Sequence, residues 1–139
     1  MNADLRTLRH RHLRFGWTSL AAFALLGALL ELLHAFKLGF YLDVDVETRR
    51  WLWRLAHAHG IGLGLINVAF ALSLADLDPR RLGSSSSCLL AASVLVPLGF
   101  FLGGAFASAG DPGVPIALVP LGAVLLIAGL VAIVRACPR

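Results

Sequence analysis

The sequence predicts an all-α integral membrane protein, an antiparallel four-helix bundle with both chain termini in the cytoplasm. Three observations carry that prediction. The 139 residues are 58% hydrophobic and only 14% charged, whereas soluble domains run nearer one quarter charged. Four apolar stretches, at about 15–38, 48–75, 88–107 and 114–136, are separated by polar breaks, and each approaches or exceeds the roughly 20 residues that cross a bilayer. The basic residues are unevenly shared between the two sides. Arg6, Arg9, Arg11, Arg14, Arg80, Arg81, Arg135 and Arg139 fall on one side of a four-span chain, and Lys37, Arg49, Arg50 and Arg54 on the other. The richer side belongs in the cytoplasm.

The whole chain makes a single transmembrane domain. Its net charge of +4 collects at span ends, not in a helical stripe interleaved with aromatics, so the expected partner is the lipid bilayer and not nucleic acid. Cys88 and Cys137 are too few for a disulfide framework and match no metal spacing. Both are expected at cytoplasmic span ends, where thiols stay reduced.

Residues 1–14, rich in arginine, read as a short amphipathic helix on the headgroups, with His10 and His12 solvated. The first apolar stretch is too long for a signal-peptide core of about 7–15 residues and reads as an uncleaved span. Within it Leu20, Ala24, Gly27, Glu31 and His34 recur at spacings of 3 and 4, which aims Glu31 and His34 into the bundle. The connection that follows carries Asp43, Asp45 and Glu47, acidic groups suited to a helix N-terminus, with Asp45 as the N-cap.

The second span opens with Trp51 and Trp53, an interfacial aromatic pair. Its stripe of Trp53, Ala56, Gly60, Gly64, Asn67 and Ala71 is mostly small, which favours close helix approach. His57 and His59 flank that stripe on opposite sides, since two residues turn a helix by about 200°. Residues 76–87, with Pro79, Gly83 and four serines, read as a flexible loop. The third span offers Ala92, Val96, Gly99, Gly103 and Phe106. The fourth, after a tight AGDPG turn, offers Leu118, Gly122, Leu125, Gly129, Ala132 and Ala136.

The chemistry concentrates between Glu31 and Asn67. Ionisable side chains at membrane depth are costly and mark a site by default. Glu31-x-x-His34 is the carboxylate–imidazole pair that helical bundles use for metals, and His57 and His59 add imidazoles at the same level. Such a set suits copper, iron or zinc, axial ligation of a haem, or a coupled proton relay. His57 is the favoured ligand, with Glu31 and His34, and His59 is the alternative. The bland reading is that these groups bond one another and lock the helices, with Asn67 as interhelical glue.

The string His57-Ala58-His59-Gly60, with Gly62 or Gly64 after it, resembles segments of membrane families related to haem–copper oxidases. It also resembles small four-span bacterial membrane proteins of unassigned function. The resemblance covers one helix, and the last two spans carry no histidine. It implies the bacterial inner membrane and favours haem or copper over zinc hydrolysis.

Three functions stay open: a metal- or haem-binding protein in electron transfer, a non-enzymatic accessory or structural subunit, and a proton or small-solute path. A membrane-protein partner or a homo-oligomer is compatible with the small-residue faces. No thiol-exchange, metalloprotease or phosphate-loop motif is present, and no catalytic residue is assigned.

Overall fold

The computed structural model describes residues 3–42 and 47–138. Its long helices are α1 (Ala3–Ala35), α3 (Glu47–Ser73), α4 (Ser85–Ala105) and α5 (Leu118–Ala136), and α2 (Gly39–Leu42) is a single turn between the first two. A 3₁₀ turn, Val114–Ala117, leads directly into α5. Four helical segments are thus long and apolar enough to cross a membrane.

The arginine-rich start is not a separate helix. It is continuous with the first span, so α1 runs for 33 residues, about 50 Å at 1.5 Å per residue. Neither proline nor a turn signal interrupts Arg11 to Phe15, and Gly16 is buried against α3. Asp43 and Asp45, including the expected N-cap, lie outside the described residues.

Extensive packing follows chain order: α1 on α3, α3 on α4, and α4 on α5. The α1–α3 seam is a run of glycines. A Cβ at Gly16 would sit 2.8 Å from the Gly64 carbonyl oxygen, and one at Gly60 would strike the Phe23 ring. One at Gly27 would strike the His57 ring. Positions that rise along α1 therefore meet positions that fall along α3. Such close approach is what small residues permit between apolar helices.

This seam corrects the expected face of α1. The buried positions are His12, Gly16, Ser19 and Leu30, whereas Ala24, Glu31 and His34 are exposed. The helix is turned so that its glycines meet those of α3, and Glu31 and His34 fall beside the contact. The α3 stripe is as expected from Ala56 to Ala71, while Trp53 is only partly buried. In α4 Ala92, Val96, Gly99 and Gly103 are buried, but Phe106 is exposed.

At one end all four long helices converge on Phe70, Leu74, Leu77, Leu82, Leu89 and Ala136, with Leu5, Leu8 and Ile133 packed around them. The 76–87 connection is built into this core. Asp78 accepts from the Arg80 amide at 3.0 Å and caps a 3₁₀ turn over Pro79–Arg81, and the Asp78 amide donates to the Ala136 carbonyl at 2.9 Å. The serines do not form a loop: Ser84 stands at the N-cap position of α4, without a side-chain cap bond, and Ser85–Ser87 are its first turn.

At the other end α1 closes with the amide of Leu38 bonded to Leu33 and that of Lys37 to His34, a Schellman cap. Arg49 and Arg50 donate to the carbonyls of Phe40 and Leu42. Trp53 stacks between Tyr41 and Phe101, with ring centroids 6.3 and 5.7 Å away. It serves packing, while Trp51, the other member of the expected pair, is exposed as an interfacial residue would be. The turn after α4 is tight as expected, closed by reciprocal 3.0 Å bonds between Ser108 and Asp111.

Candidate functional site: a buried knot and an open recess

The chain carries two groups of polar side chains, one at each end of the α1–α3 seam. The first is a knot around Asn67. Both Asn67 and His12 are fully buried. Ser93 donates its only hydroxyl hydrogen to the Leu89 carbonyl at 2.7 Å, so it must accept from the Asn67 amide nitrogen, also at 2.7 Å. The second amide hydrogen goes to the Leu63 carbonyl at 2.8 Å. The Asn67 oxygen is thereby left to accept, and His12 Nδ1 donates to it at 2.7 Å. His12 Nε2 pairs with the Ser86 hydroxyl at 2.8 Å. Phe70 meets the imidazole edge-on at 4.7 Å.

Every polar atom of Asn67 and His12 is therefore satisfied, and α1, α3 and α4 are tied at one level. Asn67 acts as interhelical glue, as expected. His12 was expected in solvent; the continuous α1 instead carries it one turn below Gly16, into the seam opposite Asn67. Its neighbours Arg11 and His10 remain exposed, and only their company concealed it. Extending the spacing of 3 and 4 back from Ser19 through Gly16 reaches His12, which is the signal that was available.

The second group is a recess of about 450 Å³ between α1 and α3, lined by Glu31, His34, Tyr41, Arg54 and His57 over a floor that includes Gly27. Three of the expected ligands thus line one recess, Glu31 and His34 from α1 and His57 from α3. His59 does not: its Nδ1 donates to the Leu55 carbonyl at 2.8 Å, and its ring lies 4.8 Å from Phe100 on the α4 side. His57 Nδ1 donates to the Phe23 carbonyl at 2.7 Å, which leaves Nε2 as an acceptor. Arg54 and Tyr41 complete the recess and were missed: Arg54 read as a loop charge, and Tyr41 belongs to a turn with no helical period.

Among the described residues no group of three His, Cys, Asp or Glu side chains is arranged to hold a metal ion. The side chains of Glu31, His34 and Arg54 make no hydrogen bond or ion pair with any described residue. A third feature, an apolar groove of about 450 Å³ between α1 and α4, is walled by Phe15, Phe23, Pro97 and Phe101. It offers contact surface but almost no polar chemistry. Comparison with known protein families, curated proteins and solved structures finds no match for this chain.

Proposed function

We propose that the chain is a non-enzymatic membrane protein of the bacterial inner membrane, an accessory or structural subunit built as an antiparallel four-helix bundle with both termini cytoplasmic. The observation that carries this reading is the saturation of the buried knot. His12, Asn67 and Ser93 spend their hydrogen-bonding capacity on one another, on Ser86 and on helix carbonyls, so nothing in it is left for a substrate or a travelling proton. Farther along the seam the buried Ser19 hydroxyl likewise donates to the Gly60 carbonyl at 3.2 Å. Polar groups used this way set which residues meet across a helix pair, a task apolar packing in lipid leaves loosely specified.

The orientation rests on the excess of arginine at the end that gathers Leu5, Leu82 and Ala136, by the positive-inside rule. Along α5 the side chains of Leu121, Val124, Ile127 and Val134 are exposed, a face suited to lipid or to a neighbouring subunit.

The test is an absorption spectrum and metal analysis of the purified chain, beside the same measurements on His57→Ala. The expected result is no Soret band and no stoichiometric metal in either. A haem or metal present in the wild type and lost from His57→Ala overturns this reading in favour of a cofactor site. Reporter fusions near residue 40 are expected on the outer side of the membrane.

A further inference from the structure

Unlike the knot, the recess holds polar groups that no described residue partners. Glu31 lies four residues before Ala35, the end of α1, and Arg54 seven after Glu47, the start of α3, so they sit about 6 Å and about 10 Å from their helix ends at 1.5 Å per residue. A carboxylate and a guanidinium at those depths, both exposed and neither paired with a described residue, are costly in a membrane unless something polar meets them. A second observation points to a ligand. Tyr41 is only 1% exposed as a residue and lines the recess, its hydroxyl is not among the fully buried atoms, and it has no hydrogen-bond partner among the described residues. The hydroxyl of a tyrosine whose ring is buried normally finds one.

The donors and acceptors sort into two kinds. Arg54 and the Tyr41 hydroxyl offer N–H and O–H groups, the pairing that phosphate takes. Glu31 and the free Nε2 of His57 accept, the pairing that an ammonium takes. One formal positive and one formal negative charge make the recess neutral overall, which suits a zwitterion better than a net anion. A trimethylammonium has no N–H to give and is held by cages of Trp, Tyr or Phe; among the described residues Tyr41 is the one such side chain that lines this recess. The apolar floor and the depth suit an amphiphile that enters from the lipid side.

We propose that this recess binds the headgroup of a phospholipid bearing a primary ammonium, of the phosphoethanolamine class. Arg54 and Tyr41 hold its phosphate, and Glu31 and His57 its ammonium. The proposal uses none of the residues of the knot, so its failure leaves the structural reading standing.

The experiment is native mass spectrometry of the full chain in detergent. It is titrated with phosphatidylethanolamine, phosphatidylcholine and phosphatidylglycerol of one acyl composition, and with water-soluble phosphoethanolamine. Loss of a hydrogen bond to a charged group corresponds to about tenfold or more in affinity. Phosphatidylethanolamine is therefore expected to bind about tenfold more tightly than the other two. Glu31→Gln is expected to erase its advantage over phosphatidylcholine, and Arg54→Gln to weaken both. Both residues are exposed, and helical circular dichroism of the variants confirms that they fold. Equal binding of the three lipids, or a preference that survives Glu31→Gln, overturns the proposal. Competition by soluble phosphoethanolamine at the lipid's own concentration overturns the lipid as the source.

Discussion

The two ends of the α1–α3 seam use similar side chains to opposite effect. At one end His12, Asn67 and Ser93 are buried and, with the part-buried Ser86, bonded only to one another and to helix carbonyls. At the other, a carboxylate, a guanidinium and two imidazoles stand around an open recess, and of these side chains only His57 has a hydrogen-bond partner among the described residues. Residue type does not separate structure from function here. Saturation does: a polar group that has exhausted its partners inside the fold stabilises it, and one that has not is available to something else.

The contrast breaks first where the seam itself is forced apart. Gly16 sits where a Cβ would meet the Gly64 carbonyl at 2.8 Å and the Val68 side chain at 2.7 Å, and backbone cannot move aside. Gly16→Leu is expected to lose about 3 kcal/mol or more and to disrupt both ends together. Unfolding in a denaturing detergent series measures it. A variant as stable as the wild type would mean that the seam is not the fold's main contact.

Next comes the knot. Asn67→Ala leaves the His12 Nδ1–H without its acceptor and opens a small void, an expected loss of about 2 kcal/mol. Glu31→Ala, on the exposed side of the recess, is expected to stay within about 0.5 kcal/mol of the wild type. Equal losses in the two variants would erase the distinction between the two ends.

That distinction was only half legible in the sequence. The faces of α3, α4 and α5 could be read because glycine and alanine recur at 3 and 4 and leave one choice of stripe. In α1 two stripes compete. Leu20, Ala24, Gly27, Glu31 and His34 form one; His12, Gly16, Ser19, Phe23 and Gly27 form the other, and both run through Gly27. The choice depends on which face meets the Gly60–Gly64 pair, a property of the partner helix that α1's own spacing does not contain. The expected convergence of Glu31, His34 and His57 still held, because depth along the helix survives a modest rotation. The serines were misread because loops and helix N-termini favour the same residue.

His57 sharpens the comparison most, since it is both bonded within the fold and open to the recess: its Nδ1–H ties α3 to the Phe23 carbonyl at 2.7 Å, and its ring forms part of the recess wall. The bond alone is of the interhelical kind that averages about 0.6 kcal/mol in membranes, so His57→Ala is expected to cost about that much and to leave four inserted spans. The ring also occupies the space in which a Cβ on Gly27 would lie, with Nδ1 2.7 Å from that position. Gly27→Ala alone must therefore displace the imidazole and is expected to cost more than His57→Ala, about 1–2 kcal/mol as an overpacked contact. With the ring removed the conflict disappears. The double variant His57→Ala/Gly27→Ala is expected to be no less stable than His57→Ala, a coupling of about 1 kcal/mol or more in a double-mutant cycle. Strict additivity of the two substitutions would show that the imidazole does not rest on Gly27, and the recess would lose its wall on the α3 side.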